Sequence, residues 1–256
     1  MNSLNAPPPS PGKRTARRSQ NPALPFLFVN MAMTADGKIA TVNRDAASFS
    51  SRRDHEHLLE LRATADAVMA GARTVDLNPV NLGPGPARFR ELRLKNGLAE
   101  YNLRIIVSGS GSVDPAAKIF QKRFAPILVL TTARMPPSAG RRLRPVADEV
   151  KVCGRMEIDF RAAFHWLREQ WGVKRLLCEG GGELNAALFR ARLVDELHLT
   201  LCPRILGGRA APTIADGAFA PKLAQACALQ LRAVKRIGDE LFLVYGRRSP
   251  GKENAD

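Results

Sequence analysis

An acid and three consecutive glycines stand where an apolar run gives way to a helical pattern, in the stretch LLCEGGGELNAALF (residues 176–189). A strand that ends at Glu179 and opens through Gly180–Gly182 into a helix presents bare backbone N–H groups at the helix N-terminus. Those groups and the helix dipole favour an anion, and glycine allows close approach, so the pattern suits a phosphate. It is neither GxGxxG nor a Walker loop, and a plain connection that needs flexible glycines is the alternative.

Two further junctions place polar side chains where a strand ends. The segment TADGK (34–38) follows the first apolar run and carries Asp36 and Lys38, and such a loop is a usual ligand position in a sheet-based enzyme. A plain turn is the alternative, because Asp-Gly is a strong turn dipeptide. In GARTVDLNP (71–79), Thr74 offers a hydroxyl near a second helix N-terminus, or serves as the N-cap of that helix.

The histidines and cysteines do not predict a metal centre. His55 and His57 are two residues apart and point to different faces of a helix, and His198 faces the polar side of a strand. The four cysteines include no CxxC pair, and those in apolar runs, Cys178 and Cys202, fit buried free thiols. No Ser-His-Asp or Cys-His arrangement is recognisable in the sequence either, so the sequence predicts neither a metal site nor a nucleophilic triad.

Strands alternate with helices along the chain, which predicts an α/β fold. Apolar runs of strand length occupy residues 25–33, 66–71, 103–107, 126–132 and 173–179. One helical pattern begins after Ser51, which with Asp54 resembles a capping box, another covers 158–171, and a third follows the glycines. Residues 78–101 are rich in Gly, Pro and Arg and are predicted to form a long surface loop.

The C-terminal part predicts an antiparallel edge. In DELHLTLCPRIL (195–206), apolar Leu197, Leu199 and Leu201 alternate with polar residues, which is typical of a half-buried strand. Two more strands are predicted near 228–236 and 240–246. The expected fold is a mixed, mostly parallel central sheet flanked by helices, with antiparallel strands at its C-terminal edge.

The composition is that of a globular protein with a strong basic balance. Of 256 residues, 45% are apolar and 25% charged, and no apolar run reaches about 18 residues. Residues 1–24 are predicted to be a disordered, Pro-rich leader, 25–247 one domain and 248–256 a polar tail. The leader holds four basic residues and no acid, so +11 of the net charge of +15 remains for the rest, which suits nucleic acid or phosphorylated ligands. With no signal peptide, the expected location is the cytoplasm.

The motifs together resemble a known family. VNMAMTADGKIA (29–40), FSSRRDHEHLLELRATADAVMAGARTV (49–75) and EGGGELNAALFRARLVDELHLTLCPRILGG (179–208) follow one another as they do in the reductase domain of riboflavin biosynthesis. That domain is the C-terminal half of the bifunctional deaminase–reductase RibD and also occurs as a stand-alone protein. The likeness covers residues 25–246 and implies a fold similar to that of dihydrofolate reductase.

The resemblance also implies an activity, the NADPH-dependent reduction of the ribosylamino chain of a pyrimidine 5′-phosphate to a ribitylamino chain, with hydride delivered to sugar C1′. Lys38 and Glu179 match the catalytic polar pair, and Asp36, Arg62 and Glu179 match substrate contacts. The matching cofactor-binding positions are Ala32, Thr74, Asn78, Ser108, Gly181, Gly182, Glu183, Leu184 and Asn185. Members of this family are commonly homodimers, and VDELHLTL (194–201) is the kind of strand that lies near such an interface.

The chain departs from that family in two loops, which keeps other functions open. Ala46 and Ser48 stand where bifunctional members have Ser and Trp, and after Thr74 the expected acid-acid-Pro run is the shorter DLNP, in which Asp76 or Asn78 replaces the acid. No H-x-E or PCxxC deaminase motif is present. The alternatives are a reductase of another pyrimidine or a pteridine, a family member that only binds a nucleotide, and a nucleic-acid-binding module.

Overall fold

The computed structural model describes residues 23–44, 49–217 and 220–248. The predicted leader and tail lie almost entirely outside these ranges, and the departing positions Ala46 and Ser48 lie wholly outside them. Within the described residues, no helix combines the length and the apolar character that crossing a bilayer requires.

Nine strands and seven α-helices make up the described part of the chain. The strands are β1 (Phe26–Thr34), β2 (Ala67–Gly71), β3 (Leu103–Val107), β4 (Ile127–Thr131), β5 (Glu149–Val152), β6 (Arg175–Cys178), β7 (Glu196–Cys202), β8 (Leu229–Ile237) and β9 (Glu240–Arg247). The helices are α1 (Arg52–Arg62), α2 (Ala72–Leu77), α3 (Ala87–Lys95), α4 (Lys118–Gln121), α5 (Pro137–Leu143), α6 (Phe160–Gln170) and α7 (Gly182–Arg190). Every predicted strand and helix is present, and β5, α3, α4 and α5 are additions.

All nine strands form one sheet in the order β5-β4-β3-β2-β6-β1-β7-β9-β8. The pairs from β5 to β7 are parallel, whereas β9 runs antiparallel to both β7 and β8. The predicted mostly parallel sheet with an antiparallel C-terminal edge is therefore confirmed. Because parallel strands share a direction, the carboxyl ends of β1, β2 and β6, where the three polar junctions begin, open on the same side of the sheet.

The core consists of two main apolar clusters, one on each face of the sheet. Along β1, Leu27 and Val29 belong to one cluster and Phe28 to the other. The first cluster includes Phe164 of α6 and Leu188 of α7. The second receives side chains from α1, α2, α4 and α5, including Leu61, Val75, Ile119 and Leu143. Helices on both faces explain why the central strands are continuous apolar runs rather than alternating ones.

The surface loop predicted for residues 78–101 is wrong in its middle, where α3 forms. Arg93 in this helix is only 1% exposed. Its guanidinium and Nε donate to the carbonyl oxygens of Ala65 (2.6 Å), Arg62 (2.7 Å) and Ala99 (2.9 Å), and burial lowers its pKa. Composition alone does not predict this helix, because the buried residue that anchors it is a charged arginine.

Strand β7 is buried on both faces, so the half-buried strand expected from its alternation is also wrong. His198 and Thr200, on its polar face, are 3% and 1% exposed. Helix α1 covers this face, because the ring of His57 lies 5.6 Å from that of His198 and meets Phe242 edge-on at 5.5 Å. A carboxylate oxygen of Glu196 lies 2.7 Å from Nε2 of His198. The alternation therefore marks a polar contact between helix and sheet.

The predicted start of α1 is confirmed, and an acid that is distant in sequence completes the hydrogen bonding of its N-cap. The Ser51 hydroxyl accepts the N–H groups of Arg53 (3.1 Å) and Asp54 (3.2 Å). In a capping box, the acid of the first turn would accept the Ser51 N–H. Instead, Glu240 of β9 accepts both this N–H (2.8 Å) and the Ser51 hydroxyl (2.5 Å). The start of α1 is thereby fixed to the antiparallel edge of the sheet.

Candidate active site

A cleft of about 1000 Å³ runs along the carboxyl ends of the parallel strands. Its walls include Ala32 of β1, Glu179 and Gly181 after β6, Thr74 of α2, Ser108 after β3 and Thr132 after β4. The cleft therefore crosses five neighbouring strands in the order β1, β6, β2, β3 and β4. It brings together most of the residues that the sequence singled out.

Close packing at the end of β6 requires glycine at two positions. Gly180 has a φ of +82°, and a Cβ on it would lie 2.7 Å from the sulfur of Met31. A Cβ on Gly182 would lie 2.5 Å from both Asp216 Oδ2 and the carbonyl oxygen of Thr213. Neither position has room for a side chain, so the glycine run serves the packing of this junction whatever ligand it meets.

Helix α7 begins with backbone donors that the chain does not use. Its N-cap, Gly181, supplies no side-chain hydrogen bond. The N–H groups of Gly182, Glu183 and Leu184 have no acceptor in the described part of the chain, and all three residues line the cleft. These amides and the positive end of the helix dipole suit an anionic group such as a phosphate.

Glu179 is held in one orientation by Arg62. Arg62 Nε lies 2.6 Å from Glu179 Oε1 and Nη2 lies 2.7 Å from Oε2, and the two side chains are 9% and 10% exposed. The remaining nitrogen, Nη1, donates to the carbonyl oxygen of Gly83 (2.7 Å). Such a bidentate pair fixes the carboxylate geometrically. Glu179 lines the cleft and Arg62 lies behind it, so the geometry gives Arg62 a positioning role in place of the predicted substrate contact.

The turn after β1 is organised by the carboxylate of Asp36. It accepts the hydroxyl of Thr34 (2.6 Å) and the N–H groups of Gly207 (2.7 Å) and Leu206 (3.2 Å). The Thr34 hydroxyl is the main cause that lowers the pKa of Asp36 to about 2. The plain-turn interpretation fits Asp36, because its acceptor atoms are used within the chain and the residue stands outside the cleft wall.

Lys38 lies beside the cleft, two residues after Asp36. Its backbone N–H donates to the Thr34 hydroxyl (3.0 Å), and its Nζ lies 3.4 Å from the carbonyl oxygen of Ala211. The next two residues, Ile39 and Ala40, belong to the cleft wall. Lys38 is half-buried, and the 3.4 Å contact of its ammonium group with Ala211 is long for a hydrogen bond.

Eight of the nine predicted cofactor-binding residues line the cleft, namely Ala32, Thr74, Asn78, Ser108, Gly181, Gly182, Glu183 and Leu184. Thr74 is the third residue of α2, and Gly71 is the N-cap of that helix, so the N-cap role left open for Thr74 is wrong. The amide of Asn78 donates to the carbonyl oxygen of Thr74 (3.0 Å) and closes the end of α2.

The ninth of these residues, Asn185, lies inside the protein and not on the cleft. It is fully buried, and its amide donates to the carbonyl oxygen of Ile214 (2.9 Å). Its backbone N–H donates to the carbonyl oxygen of Gly181 (3.0 Å). Asn185 therefore braces the start of α7 against the 213–216 loop, and the geometry offers no group of it to a ligand.

Several cleft residues were missed in the sequence. Thr132 and Arg134 follow β4, Ser110 lies in the loop after β3, and Met156 and Ile158 precede α6. Strand β4 was predicted, so the polar segment TTAR at its end was an available signal. Residues 156 and 158 follow β5, a strand too short and too polar to be predicted, and they carry no such signal.

The histidines lie away from this cleft. His57 and His198 meet beneath α1, and His165 is exposed on α6, 3.2 Å from Glu169. Across residues 23–44, 49–217 and 220–248, no three or more His, Cys, Asp or Glu side chains are grouped so that they could hold a metal ion.

The sequence matches known reductases over most of its length. The family model of the RibD C-terminal domain matches residues 25–243. A 2,5-diamino-6-ribosylamino-4(3H)-pyrimidinone 5′-phosphate reductase from Archaeoglobus fulgidus is 35% identical over 224 residues, which cover 87% of this chain and 98% of that protein. The reductase of the same name from Aquifex aeolicus is 28% identical over 223 residues, covering 85% of this chain and 94% of that one.

The fold also matches solved structures. A pyrimidine reductase-like protein from Corynebacterium diphtheriae superposes with a TM-score of 0.72 at 23% identity, covering 88% of this chain and 92% of that one. RibD from Acinetobacter baumannii gives a TM-score of 0.69 at 18% identity, covering 89% of this chain and 59% of that longer one. The predicted dihydrofolate reductase-like fold is confirmed by these neighbours. Motifs, fold and family match agree, and the chain belongs to the RibD C-terminal domain family.

Proposed function

We propose that the protein is an NADPH-dependent reductase of riboflavin biosynthesis, which converts a ribosylamino-pyrimidine 5′-phosphate to its ribitylamino form. One observation carries the proposal. A bidentately fixed carboxylate, Glu179, stands in the cleft directly before the free amides of α7, in a chain 35% identical to a reductase named for that substrate.

The cleft fits a nicotinamide dinucleotide. It is about 1000 Å³ in volume and crosses five strands, which suits an extended ligand better than a compact one. The amides of Gly182, Glu183 and Leu184 would hold the pyrophosphate, with Thr74 opposite them on the neighbouring junction. The bound cofactor supplies the hydride, and the protein supplies binding, orientation and electrostatics.

The chain's own polar groups would act on the sugar. Glu179 is an acceptor that can orient sugar hydroxyls, and Arg62 prevents it from rotating away. Reduction at C1′ opens the sugar ring and leaves an oxygen that takes a proton, and Lys38 and Glu179 are the two groups that could move it. The ammonium of Lys38 would also stabilise negative charge that develops on that oxygen.

The substrate that we propose is the 2,5-diamino compound, the form that still carries the amino group removed by deamination. Its name is that of the relatives from Archaeoglobus fulgidus and Aquifex aeolicus, which this chain covers to 98% and 94% of their length. The deaminated compound and a pteridine are the competing substrates of the same reaction class.

We also propose that the protein is a homodimer and that it is located in the cytoplasm. Strand β7, expected near the interface, has both of its edges paired within the chain, with β1 and β9, so it offers no free edge to a second copy. Strand β8 is the better candidate, since it forms the outer edge of the sheet and exposes Leu231 (49%) and Val234 (55%). Sedimentation of the purified protein, with Val234→Lys as the variant, tests this surface.

Activity is tested by following the oxidation of NADPH in the presence of the 2,5-diamino substrate, its deaminated form or dihydrofolate, in parallel assays. We expect turnover of the 2,5-diamino compound and its loss in Glu179→Ala and in Lys38→Ala. Lys95→Ala, an exposed change on α3, is the matched control and should keep full activity. Turnover of dihydrofolate alone would replace the riboflavin assignment by the pteridine alternative, and turnover that survives in both variants would remove these two residues from the mechanism.

A further inference from the structure

Five arginines in the described part of the chain line the cleft, and the protein itself engages three of them. Arg73 pairs with Glu183 at 3.0 Å, and Arg190 pairs with Glu157 at 2.8 Å. Arg161 donates to a backbone carbonyl oxygen at the end of α7 (3.3 Å). These three side chains are therefore occupied within the chain.

The other two, Arg44 and Arg134, stand at opposite ends of the cleft. Arg134 follows β4, whereas Arg44 is exposed at the rim, in the loop after β1. Neither side chain forms a hydrogen bond or an ion pair with any residue that the structure describes. Strands β6, β2 and β3 lie between β1 and β4 in the sheet. Arg44 is therefore the open arginine on the side of the cleft nearer to Glu179, which follows β6.

The backbone of Arg44 adopts a conformation that is strained for an arginine. Its φ is +60°, one of three positive values at residues other than glycine in the part of the chain that the structure describes. Glycine would adopt this conformation without strain. Strained residues cluster at functional sites, where the strain is retained because the site needs the residue. The exposed side chain of Arg44 has no polar partner within the described protein that would explain it.

The segment that leads to Arg44 is nevertheless fixed. The N–H of Ile39 donates to the carbonyl oxygen of Pro212 (3.0 Å), and the N–H of Arg44 closes a turn by donating to the carbonyl oxygen of Thr41 (2.8 Å). Within that turn, Val42 packs so closely on the 207–208 backbone that its Cγ2 lies 2.6 Å from the position that a Cβ on residue 208 would take. The guanidinium of Arg44 is thus mobile on a backbone that is not.

The proposed position of the dinucleotide leaves this side of the cleft to the substrate. With the pyrophosphate on the free amides of α7, the cofactor does not need the wall beyond β1, which includes Ile39, Ala40 and Phe49. A sugar that reacts at C1′ beside Glu179 carries its phosphate on C5′, across the ribose from the reacting atom. Because a phosphate dianion is strongly hydrated, the exposed rim suits it better than the neighbourhood of the buried Glu179–Arg62 pair.

We propose that Arg44 binds the 5′-phosphate of the pyrimidine substrate and so makes the enzyme prefer the phosphate to the corresponding nucleoside. This inference rests on the proposed function, because it needs the sugar to react beside Glu179. A phosphomonoester carries about −1.5 to −2 charge near neutral pH, and a guanidinium offers its oxygens a planar fork of donors. Arg62 is not available for this role, because its Nε, Nη1 and Nη2 already donate to Glu179 and Gly83.

The test uses two substrates that differ only in that phosphate, the 2,5-diamino compound and its 5′-hydroxyl form, and follows NADPH oxidation by the whole chain. The wild type should have the higher kcat/KM for the phosphate. Arg44→Gly should lower this kcat/KM about 10- to 100-fold, mainly through KM, as expected for the loss of charged hydrogen bonds. It should leave the 5′-hydroxyl form unchanged.

Three further measurements make the test specific to the phosphate. Arg44→Gly should unfold at no lower temperature than the wild type, because glycine relieves the positive φ. It should also bind AMP, a fragment of the proposed cofactor, as tightly as the wild type does. Arg44→Lys should fall between the two in kcat/KM. Arg209→Ala is the matched control, since Arg209 is also exposed but stands outside the cleft wall.

The outcomes separate this inference from the function beneath it. Equal kcat/KM of the wild type for both compounds would overturn the role of Arg44 and leave the reductase assignment standing. An equal loss for both compounds in Arg44→Gly, weaker AMP binding by this variant, or the same selective loss in Arg209→Ala would overturn it too. Turnover of neither compound by the wild type would overturn the proposed function, and this inference with it.

Discussion

The two ends of the cleft treat their charged groups in opposite ways. At the end formed by β6 and β1, Glu179 is held by Arg62 at 2.6 and 2.7 Å, and Asp36 already accepts three donors from the chain. At the end formed by β3 and β4, the side chain of Arg134 has no hydrogen-bond or ion-pair partner among the described residues. The chain thus fixes the carboxylate of Glu179 where we propose that the reaction occurs, and leaves the guanidinium of Arg134 open where we propose that the cofactor binds.

This difference follows from what each end has to do. A group that stabilises a reacting centre is most effective when it is already oriented, because no reorganisation is then needed as charge develops. A group that binds a phosphate works best when its donors are unused, because the ligand brings the compensating charge. The reaction end therefore draws its rigidity from the protein, and the cofactor end would gain its rigidity from the bound ligand.

The largest effect is expected from breaking the ion pair at the reaction end. Glu179→Ala leaves the guanidinium of Arg62 buried with the Gly83 carbonyl oxygen as its remaining acceptor. Removing one partner of a buried pair costs about 3–5 kcal/mol, and we expect a loss of this size in the free energy of unfolding, measured with urea.

Two further variants make this prediction specific. Replacing both partners, in Arg62→Met with Glu179→Ala, should recover part of the loss, because no uncompensated charge stays buried. At the open end, Arg134→Ala should change the free energy of unfolding by less than about 0.5 kcal/mol. If Glu179→Ala and Arg134→Ala reduce the free energy of unfolding equally, the two ends of the cleft do not differ in how firmly the protein holds their charged groups.

A smaller effect is expected where the two ends meet, at the glycines before α7. A Cβ on Gly182 would lie 2.5 Å from a backbone oxygen and from Asp216 Oδ2, whereas the nearest atom to a Cβ on Gly181 is Thr74 Oγ1 at 3.4 Å. Gly182→Ala should therefore cost about 1–3 kcal/mol as an overpacked site does, and Gly181→Ala clearly less.

The binding of ADP distinguishes packing from ligand contact at these glycines. Gly182→Ala should weaken it, because the start of α7 must shift and its free amides shift with it. Gly181→Ala should weaken it less. If the two substitutions have equal effects on stability, the 213–216 loop can move aside at little cost. The close approach of Asp216 would then not require glycine at position 182.

The sequence predicted the frame of this site well, because long parallel strands leave strong signals. The apolar runs that became β1, β2, β3, β4 and β6 are buried on both faces, and each ends at a recognisable change of composition. Position along such strands was enough to bring Glu179 and Thr74 to one cleft. Residue types alone could not show that Arg62 would pair with Glu179, because 117 residues separate them in sequence.

The predictions that the structure did not support share one physical cause. Helix α3 was missed because its buried anchor, Arg93, satisfies a charge with carbonyl oxygens from distant segments. The polar face of β7 was placed in solvent because alternation does not reveal that α1 covers it. Asn185 was expected at the cofactor from the family resemblance, yet its amide donates to the carbonyl oxygen of Ile214. Each error concerns a polar group whose partner lies far away in sequence.

The smallest effect is expected beneath α1, the helix whose last residue is Arg62. Burial lowers the pKa of His57 below its ordinary value of 6.5, and the charge of His198 lowers it further, while Glu60 and Asp54 act in the opposite direction. The unfolded chain therefore takes up the proton first as pH falls. The stability that neutral His57 contributes is present above about pH 6.5 and is lost as the pH drops below it.

We therefore expect the free energy of unfolding to fall on acidification below about pH 6.5, and to fall less in His57→Gln. His165→Gln, on the opposite face of the sheet and exposed, is the matched control and should follow the wild type. Because α1 carries Arg62, turnover should decline with the same pH dependence, while the wild type and His57→Gln should bind AMP equally at each pH. A difference in AMP binding between them would show that α1 also affects the cofactor end of the cleft, contrary to this expectation.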